Sequence, residues 1–114
     1  MMEARVSVRP DPVFRVDRFV VPQDARDEFL ARVRETHVFL RDLRGFLGDL
    51  VLEQVSGPGE STFFTLVGWD DASSVEEAKA AVQARHEEGD DPPRRLFARL
   101  GIRADRAEYR LVDP

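Results

Sequence analysis

Between positions 13 and 21 the sequence reads VFRVDRFVV. Phe14, Val16 and Val20 fall on one face of an extended chain, with Val13, Phe19 and Val21 mostly on the other. That period of two predicts a strand buried at least partly on both sides, interrupted by Arg15, Asp17 and Arg18. From 22 to 43 the period lengthens to 3.6. Ala25, Phe29, Val33, Thr36, Leu40 and Leu43 form one stripe with Leu30 and Phe39 on its flanks, which predicts a helix capped by Asp24 or Gln23 and stopped by Gly45. A second strand is predicted at 46–55, and Gly57-Pro58-Gly59 turns the chain into a third at 62–69. This third segment, TFFTLVGW, is apolar on both faces, as a central strand requires. Ser73 with Glu76, or Ser74 with Glu77, satisfies a capping-box pattern and opens a helix to about His86 with Val75, Ala78 and Val82 inward. The acidic run 87–91 and Pro92-Pro93 precede a short helical piece at 94–100 closed by Gly101. The segment 105–112 reads as a last strand with Ala107, Tyr109 and Leu111 on one side.

Strand, helix, strand, strand, helix, strand is the order of the ferredoxin-like split βαβ arrangement, so the expected class is α+β with a four-stranded antiparallel sheet. One domain over 13–114, after a loose segment at 1–12, accommodates all of it. The first and third strands are central in that topology, and they are the two whose apolar residues occupy both faces. Helices cover only one face of such a sheet, so the other needs a partner, and the expectation is a homodimer with two sheets packed face to face.

Composition narrows the chemistry. The 114 residues contain no cysteine, which removes disulfides, thiolate metal sites and cysteine nucleophiles. Sixteen Arg against one Lys, with no Asn, first suggest codon bias. Net charge is −5 and Arg alternates with Asp and Glu, so no one-signed basic face for nucleic acid is expected. The longest nearly uninterrupted apolar stretch, 63–69, is far short of the ~20 residues of a membrane helix, and 1–12 lacks a signal-type apolar core. The expected protein is cytoplasmic, with no membrane and no nucleic-acid partner. No phosphate-cradling glycine loop and no metal-binding spacing occurs, so neither a metal nor a bound cofactor is expected.

Three residues stand out as candidates for chemistry. Trp69 ends the third strand, where its ring either walls a cavity between sheet and helices or simply fills the core. His37 lies about 80° round its helix from Phe29, inside the apolar stripe, and reads as a base or as a core-edge histidine bonded to a carbonyl. His86 extends the Val75, Val82 stripe in the last turn of its helix, and reads as a base or as a cation stabilised by the helix dipole. Tyr109, and Asp17 or Arg18, could reach the same cavity. Asp70 and Asp71 precede a helix and read as caps.

FRVDRFVVP at 14–22, RDEFLARVRETHVFLRDLRGF at 26–46 and GWDDASSVEEAKAAV at 68–82 together resemble the antibiotic biosynthesis monooxygenase-like family, over about residues 13–112. That resemblance implies a dimeric α/β barrel with an apolar cavity between sheet and helices. It further implies a cofactor-independent monooxygenase acting on an aromatic or polyketide-like small molecule, or a non-catalytic ligand-binding or sensing dimer of the same fold. On this reading His37, Trp69 and His86 are catalytic, and Phe14, Val16, Phe64 and Tyr109 bind an apolar or aromatic ligand. Trp69 matches the family tryptophan. The pocket asparagine of oxygenase and heme-degrading relatives has no counterpart, because the chain has none.

Overall fold

The computed structural model describes residues 11–59, 61–89 and 92–112, so positions 1–10 of the predicted loose segment, and Asp90 and Asp91 of the acidic run, lie outside it. Four strands, β1 (Val13–Val20), β2 (Phe46–Glu53), β3 (Thr62–Trp69) and β4 (Arg103–Arg110), form one antiparallel sheet in the order β2-β3-β1-β4. Three helices, α1 (Arg26–Leu40), α2 (Ala72–Glu88) and α3 (Pro93–Leu100), complete the ferredoxin-like α+β fold. β1 and β3 are central, as their two-sided apolar pattern predicts.

Several boundaries differ from expectation for local reasons. Gln23, Asp24 and Ala25 form a 3₁₀ turn on Pro22, so neither Asp24 nor Gln23 caps α1, which starts at Arg26 without a side-chain cap. The helix ends at Leu40, before Leu43. Gly45 sits further on, in the turn into β2, at φ 84°. A side chain there would run into Ser74 and Asp70, whose N–H donates to the Gly45 carbonyl at 2.8 Å. The cap of α2 is Asp71, which accepts from the Ser74 N–H at 2.9 Å, and not Ser73 or Ser74; Ser74 turns its hydroxyl to Asp70 at 2.5 Å. Gly101 closes α3 in the left-handed region as expected. β4 begins two residues earlier than predicted and ends before Leu111.

Strand alternation separates two faces. On the helix-covered face, Phe19 and Phe63 join Val21, Ala25, Phe29, Leu30, Val33 and Ile102 in one core cluster, with Phe19, Phe29 and Phe63 in tilted ring contacts at 5.0 and 5.2 Å. Val67 and Trp69 join Leu40, Val75 and Ala78 in a second, where Phe46 meets Trp69 edge-on at 5.8 Å. The opposite face carries Phe14, Val16, Leu66, Phe64 and Tyr109, in register through the pairs Phe14↔Gly68, Phe14↔Tyr109, Val16↔Leu66 and Val16↔Ala107. No helix covers it.

β2 holds one irregularity. Pairing with β3 slips between Phe46 and Gly48, so Phe46 opposes Trp69, Gly48 opposes Gly68 and Asp49 opposes Val67. One extra residue therefore brings Asp49 to the same face as Phe46, where strict alternation would have sent it to the other.

Candidate active site

Between the two apolar clusters the helix-covered face turns polar. Two cross-strand rows lie here, Asp49, Val67, Arg15 and Glu108 in one and Val51, Thr65, Asp17 and Arg106 in the next, and of them Val67, Arg15, Thr65, Asp17 and Arg106 make the floor. Above them a cleft of about 1230 Å³ runs between sheet and helices, walled by His37, Thr36 and Arg32 of α1, by Val82 and His86 of α2, by Phe97 of α3 and, at one end, by Trp69. Its size accommodates a polycyclic ligand.

The sequence candidates divide between the faces. His37, Trp69 and His86 all line this one cleft. Phe14, Val16, Phe64 and Tyr109 do not: register sets them on the uncovered face, with Phe14 packed over Gly68. The expectation that Tyr109 puts its hydroxyl into the cavity is thereby corrected. The alternation of β1 and β3 reveals two faces, but both are apolar enough that the pattern alone does not tell which one the helices cover. Arg18 is likewise on the uncovered face, facing Asp105 at 3.5 Å, whereas Asp17 lines the cleft.

His37 is buried, 6% exposed, and its Nδ1 lies 2.8 Å from Oδ2 of Asp49. Its partner is thus a carboxylate and not a backbone carbonyl. Asp49 also accepts from Arg41 at 3.2 Å. With Asp49 holding the proton of Nδ1, Nε2 is left as the lone-pair nitrogen, the tautomer that a base needs. Composition gave no sign of Asp49, since the β2 bulge alone turns it inward.

Asp17 sits on the floor between Arg15, at 3.3 Å, and Arg106, at 3.6 Å. Burial pushes its carboxyl above the usual value, against the pull of Arg15, Arg106 and His37. Lys79 closes the far edge by bridging Glu108 at 2.7 Å and Glu76 at 3.1 Å.

His86 is partly buried on α2. Burial first, and then the positive charges of Arg32, Arg85 and Arg106, hold its imidazole below the ordinary histidine value. His86 does stand in the last turn as expected, and burial and these cations act there against the protonated form that the helix dipole favours.

Trp69 is 3% exposed and edge-packed on Phe46, so it is a rigid end wall and a core residue at once. Among the described residues, no three His, Asp or Glu side chains converge as a metal-binding group, and no helix is long and apolar enough to cross a membrane.

No family model and no curated protein matches the sequence. Solved structures do match the fold. SnoaB, a cofactor-independent oxygenase from Streptomyces nogalater, is 18% identical, with 91% of this chain and 96% of that chain covered at a TM-score of 0.66. The heme degrader MhuD from Mycobacterium tuberculosis is 21% identical over 90% and 97%, at 0.67. A dimeric ferredoxin-like protein from an uncultured marine organism is 14% identical over 92% and 98%, at 0.67. At these identities the likeness is one of architecture, and the chain has the ferredoxin-like fold that these structures share.

Proposed function

We propose that the protein is a cofactor-independent monooxygenase of the antibiotic biosynthesis monooxygenase type, acting on an aromatic or polyketide-like small molecule as a homodimer. The observation that carries this reading is the Asp49–His37 pair, a buried imidazole held in one tautomer on the wall of a cleft large enough for fused rings. The fold shared with SnoaB supports it.

In the mechanism that follows, Nε2 of His37 takes a proton from an activated ring CH₂ or phenol, and Asp49 stabilises the imidazolium that forms. The resulting enolate or phenolate is electron-rich enough to reduce dioxygen directly. One electron passes to O₂, the substrate radical and superoxide recombine to form a C–O bond, and the peroxide takes a proton. Loss of water from that hydroperoxide leaves a carbonyl where the CH₂ stood. The balance is R₂CH₂ + O₂ → R₂C=O + H₂O, all four electrons coming from the substrate carbon. Arg15 and Arg106 supply positive potential at the floor for the anionic intermediates. Trp69 and the apolar clusters exclude water from the reactive carbanion.

A second copy is expected to cover the open sheet face, where Leu50, Leu52, Phe64 and Tyr109 are between 38% and 56% exposed. The test of the whole reading is oxygen uptake with anthrone as substrate. Consumption of one O₂ per anthrone, with a quinone product and a rate that collapses in His37→Gln, is the expected result. Uptake that is absent, or equal in wild type and His37→Gln, would overturn it; binding without turnover would leave a ligand-binding dimer.

A further inference from the structure

One carboxylate oxygen serves two donors. Oδ2 of Asp49 lies 2.8 Å from Nδ1 of His37, and the same oxygen accepts from Nη2 of Arg41 at 3.2 Å. His37 lines the cleft, whereas neither Asp49 nor Arg41 does. The three side chains therefore lead outward from the cleft, from an imidazole 8% exposed through a carboxylate 15% exposed to a guanidinium 55% exposed. Local structure builds this chain of contacts. Arg41 follows the last residue of α1, four positions after His37, and its backbone N–H donates to the His37 carbonyl at 3.1 Å, so both side chains leave the same turn. The irregularity between Phe46 and Gly48 turns Asp49 to meet them.

We propose that Arg41 is a positioning residue for the base: acting through Asp49, it fixes the carboxylate against Nδ1 and balances its charge, so that Nε2 of His37 stays free to take a proton. The inference rests on His37 being the base of the proposed reaction and adds the group that tunes it. An unopposed carboxylate beside an imidazole favours the imidazolium, which has no lone pair left for a substrate proton. A guanidinium on the same oxygen stays charged at every working pH and opposes that pull, while its bond keeps the carboxylate from turning away. Orientation and charge are thus divided between two residues.

On the cleft side His37 shares its surroundings with Arg32 of its own helix, Arg15 and Asp17 of β1, Lys79 and His86 of α2, and Arg106 of β4; β3 adds only the uncharged Thr65, Val67 and Trp69. Asp17 is held by Arg15 and Arg106, and Lys79 by Glu76 and Glu108. Substituting Arg41 touches none of these pairs.

The chain has two histidines, so His86→Gln assigns the ring resonances of His37, which are then followed by NMR as pH is varied. In Arg41→Gln the His37 titration midpoint is expected to rise by about half a unit or more, and in Asp49→Asn it should fall. Arg41→Lys keeps the charge, and Arg34→Gln removes one from an exposed position on the same helix; both should stay within about 0.2 units of wild type at physiological salt. With anthrone, the acid limb of oxygen uptake should move up in Arg41→Gln by the same amount as the midpoint, while the rate above that limb falls less than about threefold.

An unmoved midpoint in Arg41→Gln, or a rise of the same size in Arg41→Lys or Arg34→Gln, would overturn the role. Failure of the oxygenase reading looks different. Midpoints that shift as described without any oxygen uptake keep the charge balance and remove the oxygenase; anthrone turnover with an unmoved midpoint removes the role of Arg41 alone.

Discussion

The two faces of the sheet are made from the same strands and the same alternation, yet they invert the usual rule. The face under the helices holds Arg15, Asp17 and Asp49, all largely withdrawn from water, beside the half-exposed Arg106 and among its apolar clusters. The bare face, open to solvent in one copy, presents Phe14, Val16, Leu50, Leu52, Phe64 and Tyr109. Charges inside and hydrocarbon outside is costly for an isolated subunit. It becomes economical when the inner charges answer a ligand and the outer hydrocarbon answers a partner.

The sharpest way to break the contrast is on the inner face. His37→Gln should lower the rate of oxygen uptake by about 10²–10⁴ while circular dichroism stays native, and Asp49→Asn should lose at least about tenfold because the imidazole tautomer is no longer fixed. If His37→Gln turns over normally, the polar inner face is structural only. On the outer face, Leu50→Glu with Phe64→Glu sets like charges where two copies would meet. Sedimentation should then give a dimer for wild type and a monomer for the double variant at tens of micromolar; a wild-type monomer would remove the reason given for the bare hydrocarbon.

Smaller effects test the joints that hold the two faces in place. Gly45→Ala puts a side chain at φ 84° against Ser74 and Asp70, and should cost about 3 kcal/mol in urea unfolding. Asp71→Ala removes the α2 cap and should cost about 1 kcal/mol, seen as a lowered Tm. The least change concerns His86. Its folded imidazole titrates below the unfolded value of 6.5, so the unfolded chain binds more protons in that window and stability falls as pH drops through it. His86→Gln should flatten this slope; an unchanged slope would mean that burial and the neighbouring cations do not act on His86.

The sheet order was legible because Phe14, Val16 and Val20 against Val13, Phe19 and Val21 marks a two-sided strand, and TFFTLVGW marks another. His37 was legible as an inward histidine because helical spacing fixes its angle from Phe29. What pattern could not supply was an origin for the alternation. Two apolar faces carry no label for which meets helices, so alternation alone does not tell that Phe14, Val16, Phe64 and Tyr109 face away from them. Asp49 was missed for a related reason: Gly48 in FLGDLVLEQV marks where a bulge can sit, but not which side chains the residue gained between Phe46 and Gly48 turns inward. For His86 the sequence shows its place in the last turn of a helix, but not its burial or the arginines of other elements that act on it.

That extra residue in β2 acts as a phase shifter. Every side chain after it owes its side of the sheet to one inserted step: Asp49 faces His37, Glu53 reaches Arg26 of α1 at 2.9 Å, and Leu50 and Leu52 take the outward places. Removing the step would rotate all of them together, sending the orienting carboxylate of the site out and interface leucines in. The site and the pairing surface are therefore written on one strand in a single reading frame, and neither can be re-edited along β2 by a one-residue insertion or deletion without rewriting the other.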